Sequence, residues 1–328
     1  MALKRNNYRG EPIRSPSRLA YLLKLREADL FKLAQKSADF WRPGKLLAKK
    51  NSSDLRATHD ALPELKSVHE LIKERILKDF NYPPYLLGGI SDPWSPRGCK
   101  QHAKIHCGKH TLISEDIENF FPSTTSAVIH DIWVYQFHSS QEVADLLTQL
   151  TTYNDFLPQG WKTSSYLANL VLGQQESSLV SELHRGGYAY SRFVDDITVS
   201  SMQKLGKKHK SDIIRRIYRM LLKKGYRPKR KKHEIVSRNS PMLVTGLTVN
   251  KSDPKLSKLE QNKIRAALHQ AELAFRVCTM SPAQYQKHWD VVNGRVSHLT
   301  AYHPSMGKKF RVQLTRIRPS VYMQLCEE

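Results

Sequence analysis

The sequence YAYSRFVDDITVSS, residues 188–201, decides the fold of this chain. Two runs rich in aromatic and β-branched residues flank Asp195 and Asp196, a pattern that predicts a β-hairpin with both acids at its tip. An Asp pair in a turn is most often a solvated turn, because Asp hydrogen-bonds its neighbouring backbone there. Carboxylate oxygens are also the ligands that Mg²⁺ prefers. The hairpin tip is therefore a candidate magnesium site if other segments supply matching acids.

Two further segments fit the same chemistry. Residues 114–122 (SEDIENFFP) predict a strand over 111–116 that ends at Asp116, and residues 157–164 (LPQGWKTS) predict a tight turn leading into a helix. Nucleotidyl transfer needs two divalent cations roughly 3.5–4 Å apart, which hold the attacking and leaving oxygens. An Asp at a strand end beside an Asp pair at a hairpin tip can supply that geometry.

The charge of the chain points to a polyanionic partner. Lys and Arg number 53 against 30 Asp and Glu, so the formal net charge is +23 over 328 residues. Self-repulsion of this size favours binding to nucleic acid through phosphate neutralisation. An anionic membrane surface is the weaker alternative, because the basic residues are spread along the chain rather than along one amphipathic helix.

Composition also bears on location. No apolar run approaches the length of a membrane span, and the start MALKRNN lacks the apolar region of a secretory signal. Four cysteines are not a disulfide framework, which favours reduced thiols. We therefore expect a cytoplasmic protein with no membrane partner.

Hydrophobic periodicity gives the organisation of the chain. Gly, Pro and His are frequent over 81–110, which predicts an ordered loop region, and the character changes after 251, where we place a domain boundary. Short strands are expected at 233–237 and, broken by Gly246, at 241–250. Helices are expected at 15–40, 62–80, 124–137, 141–152, 163–184, 210–225, 256–278 and 282–303, before a basic tail.

Taken together, the motifs resemble those of a reverse transcriptase, most closely the bacterial retron type. The first catalytic motif resembles DIENFFPS (116–123), the second LPQG (157–160) with LANL (167–170), and the third FVDD (193–196). Three weaker likenesses follow: Lys231-Lys232 to the fourth motif, and VTG (244–246) and HAKIH (102–106) to segments typical of retron enzymes. The resemblance covers roughly residues 45–250. It departs from the retron pattern at His102, where the family carries Asn.

The resemblance implies a function for the acids. Asp116, Asp195 and Asp196 become the catalytic residues, and they are expected to bind two Mg²⁺ ions. The implied substrates are deoxynucleoside triphosphates.

The resemblance also implies contacts to the nucleotide and the nucleic acid. Phe121 falls beside the sugar 2′ position, where its ring would exclude ribonucleotides, whereas Phe120 is expected in the core. Gln159 is expected to contact the incoming nucleotide. Lys232 is expected to reach the triphosphate or to protonate the leaving pyrophosphate, and Arg56 to meet the triphosphate.

Four further residues are expected to contact nucleic acid. Residues 204–232 hold fourteen Lys or Arg and one Asp, a run that is either a solvated face or a phosphate-tracking surface. The candidates are His106, Lys229, Arg230 and Lys231.

A cluster of potential zinc ligands offers another interpretation of one segment. Cys99, His102, His106, Cys107 and His110 lie within twelve residues, and zinc takes four N or S ligands. Their spacing matches no common zinc finger, and the retron resemblance accounts for His106. We therefore do not expect a zinc site.

The implied architecture is α/β (α+β), a right-hand polymerase with fingers, an antiparallel palm sheet and a helical thumb. Residues 1–44 are expected to form an N-terminal helical extension, 45–250 the fingers and palm, and 251–328 a thumb that recognises RNA. The implied function is that of a bacterial retron enzyme. It copies a cognate structured non-coding RNA into branched, RNA-linked single-stranded DNA, in antiphage defence beside a separately encoded effector protein.

Two other functions fit the same residues. One is a catalytically silent RNA-binding protein that keeps the fold, which would extend a primer no better than its Asp195→Asn variant. The other is a defence polymerase of the same fold that adds DNA without a template, which would keep its activity when RNA is omitted.

Overall fold

The computed structural model describes residues 7–48, 55–56, 58–92, 95–278 and 280–327, without the side chains of 47–48, 55–56 and 325–327. The strands of this part are β1 (Trp41–Pro43), β2 (Leu47–Ala48), β3 (Leu55–Arg56), β4 (His59–Ala61), β5 (Thr111–Asp116), β6 (Tyr188–Phe193), β7 (Asp196–Ser201), β8 (Glu234–Ser237), β9 (Leu243–Val244), β10 (Leu247–Thr248) and β11 (Lys255–Leu256). Its α-helices are α1 (Pro16–Leu22), α2 (Glu27–Gln35), α3 (Pro63–Arg75), α4 (Cys99–Ile105), α5 (Ser126–Asp131), α6 (Gln141–Thr151), α7 (Ser164–Ala168), α8 (Gly173–Arg185), α9 (Lys207–Lys223), α10 (Lys258–Val277), α11 (Pro282–Tyr302), α12 (Pro304–Arg316) and α13 (Pro319–Glu327).

A four-stranded antiparallel sheet carries the predicted acids. Its strand order is β6-β7-β5-β8, so β7 of the hairpin pairs with β5, the strand that ends at Asp116. The central strands β5 and β7 are buried along most of their length, as strands covered on both faces should be. Buried Ile113 of β5 pairs with Val199 of β7. The predicted strand at 111–116 and the hairpin at 188–201 are confirmed.

One hydrophobic core joins this sheet to the helices before it. It extends from Tyr8 to Tyr226 and includes fully buried Trp133, which packs on Phe137 with ring centroids 4.8 Å apart. The predicted helices at 62–80, 141–152 and 210–225 correspond to α3, α6 and α9. Because the core holds residues from both sides of position 44, the N-terminal helices pack as part of the same unit.

The first predicted helix, 15–40, is wrong as a single element. Ser15 caps α1 by accepting a hydrogen bond from the Arg18 amide, and Pro16 occupies its first turn. The chain then leaves the helix at Lys24, whose φ is +55°, and α2 begins at Glu27. Nothing in the sequence marks this break, because Lys lacks the conformational freedom that makes Gly a stop signal.

Three other predicted elements differ. The predicted loop 81–110 contains the helix α4, and the predicted helix 163–184 is divided into α7 and α8. The predicted strand 241–250 is a tight hairpin of β9 and β10, turned at Thr245 and Gly246, which both have positive φ. Strand β11 completes this small sheet.

A second hydrophobic cluster lies around the C-terminal helices. It joins the β9-β10-β11 sheet to α10, α11 and α12, and reaches back to Ala103 and Leu112. The expected basic tail is instead helical, because Pro304 and Pro319 stand at helix starts, where the missing N–H of proline costs no hydrogen bond. Tyr285 stacks on Tyr322 at 3.9 Å and ties α11 to α13. The boundary near 251 stays a prediction.

Two findings concern the predictions on membrane spans and cysteines. Within the described part of the chain, no helix has both the length and the apolar character needed to cross a bilayer. Cys99 and Cys107 are free thiols as expected, but Cys278 is disulfide-bonded, so the prediction of reduced thiols is wrong for that residue.

Candidate active site

The hairpin tip is a two-residue turn. Phe193 ends β6 opposite Asp196 at the start of β7, and Val194 and Asp195 make the connection. Val194 has φ +61°, which is the left-handed conformation that tight hairpin turns need but that β-branched residues rarely adopt. The turn therefore presents two consecutive acids at the edge of the sheet.

Strand register brings the third acid beside this turn. Asp116 is the direct cross-strand partner of Asp196, and the Ile117 amide donates to the Asp195 carbonyl at 3.1 Å. Directly opposed residues point to the same face of a sheet, with Cβ atoms roughly 4.5–5.5 Å apart. The structure thus brings together the three acids that were predicted from distant segments.

Crowding of these acids perturbs Asp196. Burial, the neighbouring charges of Asp195 and Asp116, and a hydrogen bond with Asp116 raise the pKa of Asp196 to about 7, against a lowering effect of Lys232. A site that makes one carboxyl hard to ionise holds more negative charge than it can stabilise alone. A divalent cation among these oxygens would offset that charge, and carboxylate oxygens suit Mg²⁺. The three carboxylates are therefore the kind of donor set that a divalent cation prefers.

The three acids are adjacent in the sheet, but their side chains do not form a complete coordination site. In the described ranges, no three His, Cys, Asp or Glu side chains already stand in the arrangement of a metal centre. Lys232 instead forms an ion pair with Asp116.

The segment that carries Lys232 runs along the end of β5. The Lys229 amide donates to the Asp116 carbonyl at 2.7 Å, and the Glu118 amide donates to the Arg227 carbonyl at 2.8 Å. Burial lowers the pKa of Lys232, but its hydrogen bond to Asp116 and the charges of the three acids leave that pKa raised. Arg230 and Lys231 are exposed beside it. A charged ammonium is therefore held at the acid cluster.

The turn that carries Gln159 packs against β4. The His59 amide donates to the Gln159 carbonyl at 2.8 Å. Gly160 follows with φ +115°, and a Cβ there would lie 2.6 Å from the His59 carbonyl oxygen. Glycine is required at this close approach, so the backbone fixes the position of half-buried Gln159.

The two phenylalanines after Asp116 lie in different environments. Phe120 is buried and packs on Tyr226 with centroids 5.4 Å apart, which confirms its predicted place in the core. Phe121 is half-buried and meets Phe120 edge-on at 5.8 Å. Phe120 thus supports the Phe121 ring on one side, and the rest of that ring is partly exposed to solvent.

Comparisons with known proteins agree with this geometry. The family model described as reverse transcriptase (RNA-dependent DNA polymerase) matches residues 47–249. The retron Ec48 reverse transcriptase of Escherichia coli is 30% identical over 317 residues, covering 94% of this chain and 77% of that protein. The retron Se72 reverse transcriptase of Salmonella heidelberg is 28% identical over 327 residues, covering 97% and 83%.

The chain belongs to the retron-type reverse transcriptases. Its activity class is RNA-directed DNA polymerase, and the predicted right-hand polymerase fold with an antiparallel palm sheet is confirmed. Among solved structures, a telomerase from Candida albicans with a fragment of telomeric RNA aligns over 92% of this chain and 64% of that chain. At 12% identity and a TM-score of 0.47, this likeness carries no conclusion.

One predicted nucleic-acid contact of this reverse transcriptase is wrong. His106 is fully buried, and its two ring nitrogens lie 2.7 Å from the hydroxyls of Ser200 and Ser191. The buried His106 ring bridges β6 and β7, so none of its side chain is exposed for contact with a nucleic acid. Burial holds the pKa of His106 well below its ordinary value, so the ring is neutral.

One other His of the same segment lies beside it. The His102 ring meets His106 edge-on at 5.7 Å and is also stacked on Phe193 at 5.5 Å, whereas Cys99 is exposed. Arg56, predicted at the triphosphate, contributes its backbone to β3, but its side chain lies outside the described residues.

The sequence motifs did not predict the buried ion pair next to the catalytic turn. Arg192 and Glu176 are 0% and 1% exposed, and the Arg192 Nε donates to Glu176 Oε1 at 2.6 Å. A charged residue within an otherwise apolar strand was the available signal, because such residues are almost never buried unless paired.

Asp196 should make the free energy of unfolding depend on pH when the protein is kept in a chelating buffer. Its pKa is raised from 3.8 to about 7 in the fold, so the folded state binds more protons than the unfolded state between these values. The contribution of Asp196 to the free energy of unfolding is fully present below pH 3.8 and is lost as the pH rises through 7. Relative to Asp196→Asn, the wild-type free energy of unfolding should fall by about 1–3 kcal/mol over this range, less than the full shift implies because the carboxyl is partly exposed.

Urea unfolding in a chelating buffer at pH 5 and pH 8 measures this difference. The Asp196→Asn variant is the control for all other titrating groups. Parallel pH profiles for the two proteins would contradict the crowded-carboxylate account.

Proposed function

We propose that Asp116, Asp195 and Asp196 bind two Mg²⁺ ions and that the chain copies a cognate non-coding RNA into RNA-linked DNA. The observation that carries the proposal is the register of β5 against β7, which sets Asp116 opposite Asp196 beside the Asp195 turn. The retron relatives support the choice of RNA template. Bound Mg²⁺ would stabilise the attacking hydroxyl oxygen and the leaving pyrophosphate oxygens.

Lys232 has a second role in this proposal. Its ammonium partly offsets the negative charge of the acids, through the ion pair with Asp116. Where a cation supplied that positive charge, the ammonium would be free to contact the triphosphate. There it would stabilise the charge that develops on the leaving pyrophosphate, or donate a proton to it, as positioned donors do in phosphoryl transfer.

Nucleotide selection is proposed for the half-buried residues beside the acids. Phe121 would stand against the sugar and leave no room for a 2′-hydroxyl, and Gln159 would contact the incoming nucleotide. Support comes from rigid placement: Phe121 packs on buried Phe120, and the Gln159 carbonyl is held by the β4 backbone. We propose the triphosphate contact of Arg56 from its motif position alone.

Nucleic-acid contacts are proposed for two basic surfaces. Lys229, Arg230 and Lys231 would follow the phosphates near the acids, where the Lys229 amide is bound to the Asp116 carbonyl. Residues 251–328 would form a thumb that recognises the cognate RNA. The first nucleotide would be added to the 2′-hydroxyl of one guanosine, which gives the product its branch.

The biological setting is part of the same proposal. We place the enzyme in the bacterial cytoplasm, in antiphage defence, with a separately encoded effector protein as partner. Phage plating on cells that carry the complete locus, with the wild-type or the Asp195→Asn chain, tests this role. Equal plating efficiency would contradict it.

Asp195→Asn should abolish primer extension. Loss of one metal-binding carboxylate removes several kcal/mol of transition-state stabilisation, so the rate should fall by roughly 10²–10⁴-fold. Single-nucleotide extension on an RNA template measures it, with the exposed Asp145→Asn as a matched control. Equal rates for the wild type and Asp195→Asn would leave only a silent RNA-binding protein, and extension without RNA would indicate a template-independent polymerase.

Phe121→Ala should weaken the discrimination against ribonucleotides. Removing the ring opens space at the sugar, and a steric difference of this kind is worth roughly 10–200-fold in specificity. The ratio of kcat/KM for dGTP and GTP measures it, and Phe121→Tyr, which keeps the bulk, is the control. An unchanged ratio in Phe121→Ala would refute the proposed contact.

The chain, expressed with its adjoining locus, should copurify with one dominant structured RNA. Sequencing should find DNA joined to that RNA through the 2′-oxygen of a single guanosine. Asp195→Asn should retain the RNA without the DNA. Exchanging residues 251–328 for those of a relative should change which RNA is bound; heterogeneous RNA, or unchanged RNA choice in the chimaera, would contradict the respective proposal.

A further inference from the structure

The turn that holds Asp195 is conformationally strained. Val194 has φ +61°, and a β-branched residue keeps such a conformation only where its surroundings hold it. Gly88 packs directly beneath the turn, where a Cβ would lie 2.8 Å from both the Phe193 ring and the Val194 side chain. The backbone around the acids is therefore fixed by contacts from outside the hairpin.

Arg192 supplies the polar part of that support. Its Nη1 donates at 2.8 Å to the carbonyl of Val194, which lies two residues further along the chain and within the turn. Its Nη2 donates to the Asn169 carbonyl at 2.9 Å. One guanidinium thus joins the catalytic turn to the LANL segment that follows the Gln159 turn.

Glu176 holds the guanidinium in place. It accepts from Arg192 Nε at 2.6 Å and from Nη2 at 2.9 Å, and from the Tyr190 hydroxyl at 2.7 Å. Both charges are buried, so removal of either partner would leave an uncompensated charge in the interior. Lysine could not replace this arrangement, because only the planar guanidinium offers donors in several fixed directions.

The second half of the site is tied to the same point. Asn169 Nδ2 donates to the Gly88 carbonyl at 2.8 Å and to the Ser165 carbonyl at 2.7 Å. The Gly88 loop therefore contacts both the catalytic turn and the residue whose carbonyl Arg192 binds. A displacement of Arg192 would therefore disturb both the catalytic turn and the backbone at Asn169.

We propose that Arg192 and Glu176 are positioning residues that hold the Asp195–Asp196 turn in its metal-binding conformation. This inference rests on the proposed magnesium site. Both side chains are buried, so neither is placed to touch substrate. Their effect on the reaction passes through the Val194 carbonyl, and groups that orient metal ligands typically change metal affinity or activity by 10–100-fold when removed.

Arg192→Lys should reduce the affinity for divalent metal more strongly than it reduces the free energy of unfolding. With Mn²⁺ as the probe, free ion measured by electron paramagnetic resonance should give a dissociation constant roughly 10–100-fold higher than in the wild type. Single-turnover extension at saturating template should slow by a similar factor, with KM for primer–template within about threefold, because the nucleic-acid surface is untouched.

Arg75→Lys is the control. Arg75 is half-buried in α3, and its guanidinium donates to the Leu22 carbonyl of α1 at 2.9 Å. This variant should lower the melting temperature without moving the Mn²⁺ dissociation constant by more than about twofold, since it leaves the contacts of Arg192 and of the Gly88 loop intact.

Two further proteins keep the test decisive if Arg192→Lys fails to fold. Glu176→Gln preserves shape and should show the same direction of change in Mn²⁺ affinity. The double variant Glu176→Gln with Arg192→Met removes both buried charges, so it should recover melting temperature but not Mn²⁺ affinity. Wild-type Mn²⁺ affinity in a folded Glu176 or Arg192 variant would overturn the inference, whereas a wild type that binds no Mn²⁺ would instead overturn the proposed function.

Discussion

The antiparallel pairing of β5 with β7 is the constraint on which the site depends. It sets Asp116 opposite Asp196, and a slip of one residue would turn one of these side chains to the other face of the sheet. The buried residues of β5 help to hold this register, since Ile113 packs in one hydrophobic cluster and Leu112 in the other, and a one-residue slip would exchange their faces. Hydrophobic burial in the middle of the sheet therefore fixes the position of charged groups at its end.

That position is electrostatically unfavourable for the three acids. Three acids share one edge, and burial together with the two neighbouring charges raises the pKa of Asp196. The fold offsets this with the Lys232 ammonium and with surrounding hydrogen bonds that leave the turn little freedom. Natural proteins tolerate such local conflicts at functional sites, where a ligand completes the charge balance. A polymerase that recruits Mg²⁺ with its substrates is consistent with that pattern.

Sequence was informative where short motifs carry both structure and chemistry. The FVDD hairpin, the strand ending at Asp116 and the buried Phe120 follow from local pattern, since alternation and turn residues act over a few positions. It failed where the deciding contact is long-range. Arg192 and Glu176 are sixteen residues apart, and nothing local shows that they meet. His106 was assigned by its motif to nucleic acid, yet the hydroxyls of Ser191 and Ser200, distant in sequence, enclose it within the palm.

The central claim is that these carboxylates hold two divalent ions beside the primer end. Anomalous X-ray diffraction from a crystal of the chain with primer–template, incoming nucleotide and Mn²⁺ tests it most directly. The account predicts two Mn²⁺ peaks roughly 3.5–4 Å apart, bound between Asp116 and the Asp195–Asp196 turn. Metal bound elsewhere, with Lys232 still paired to Asp116, would contradict it.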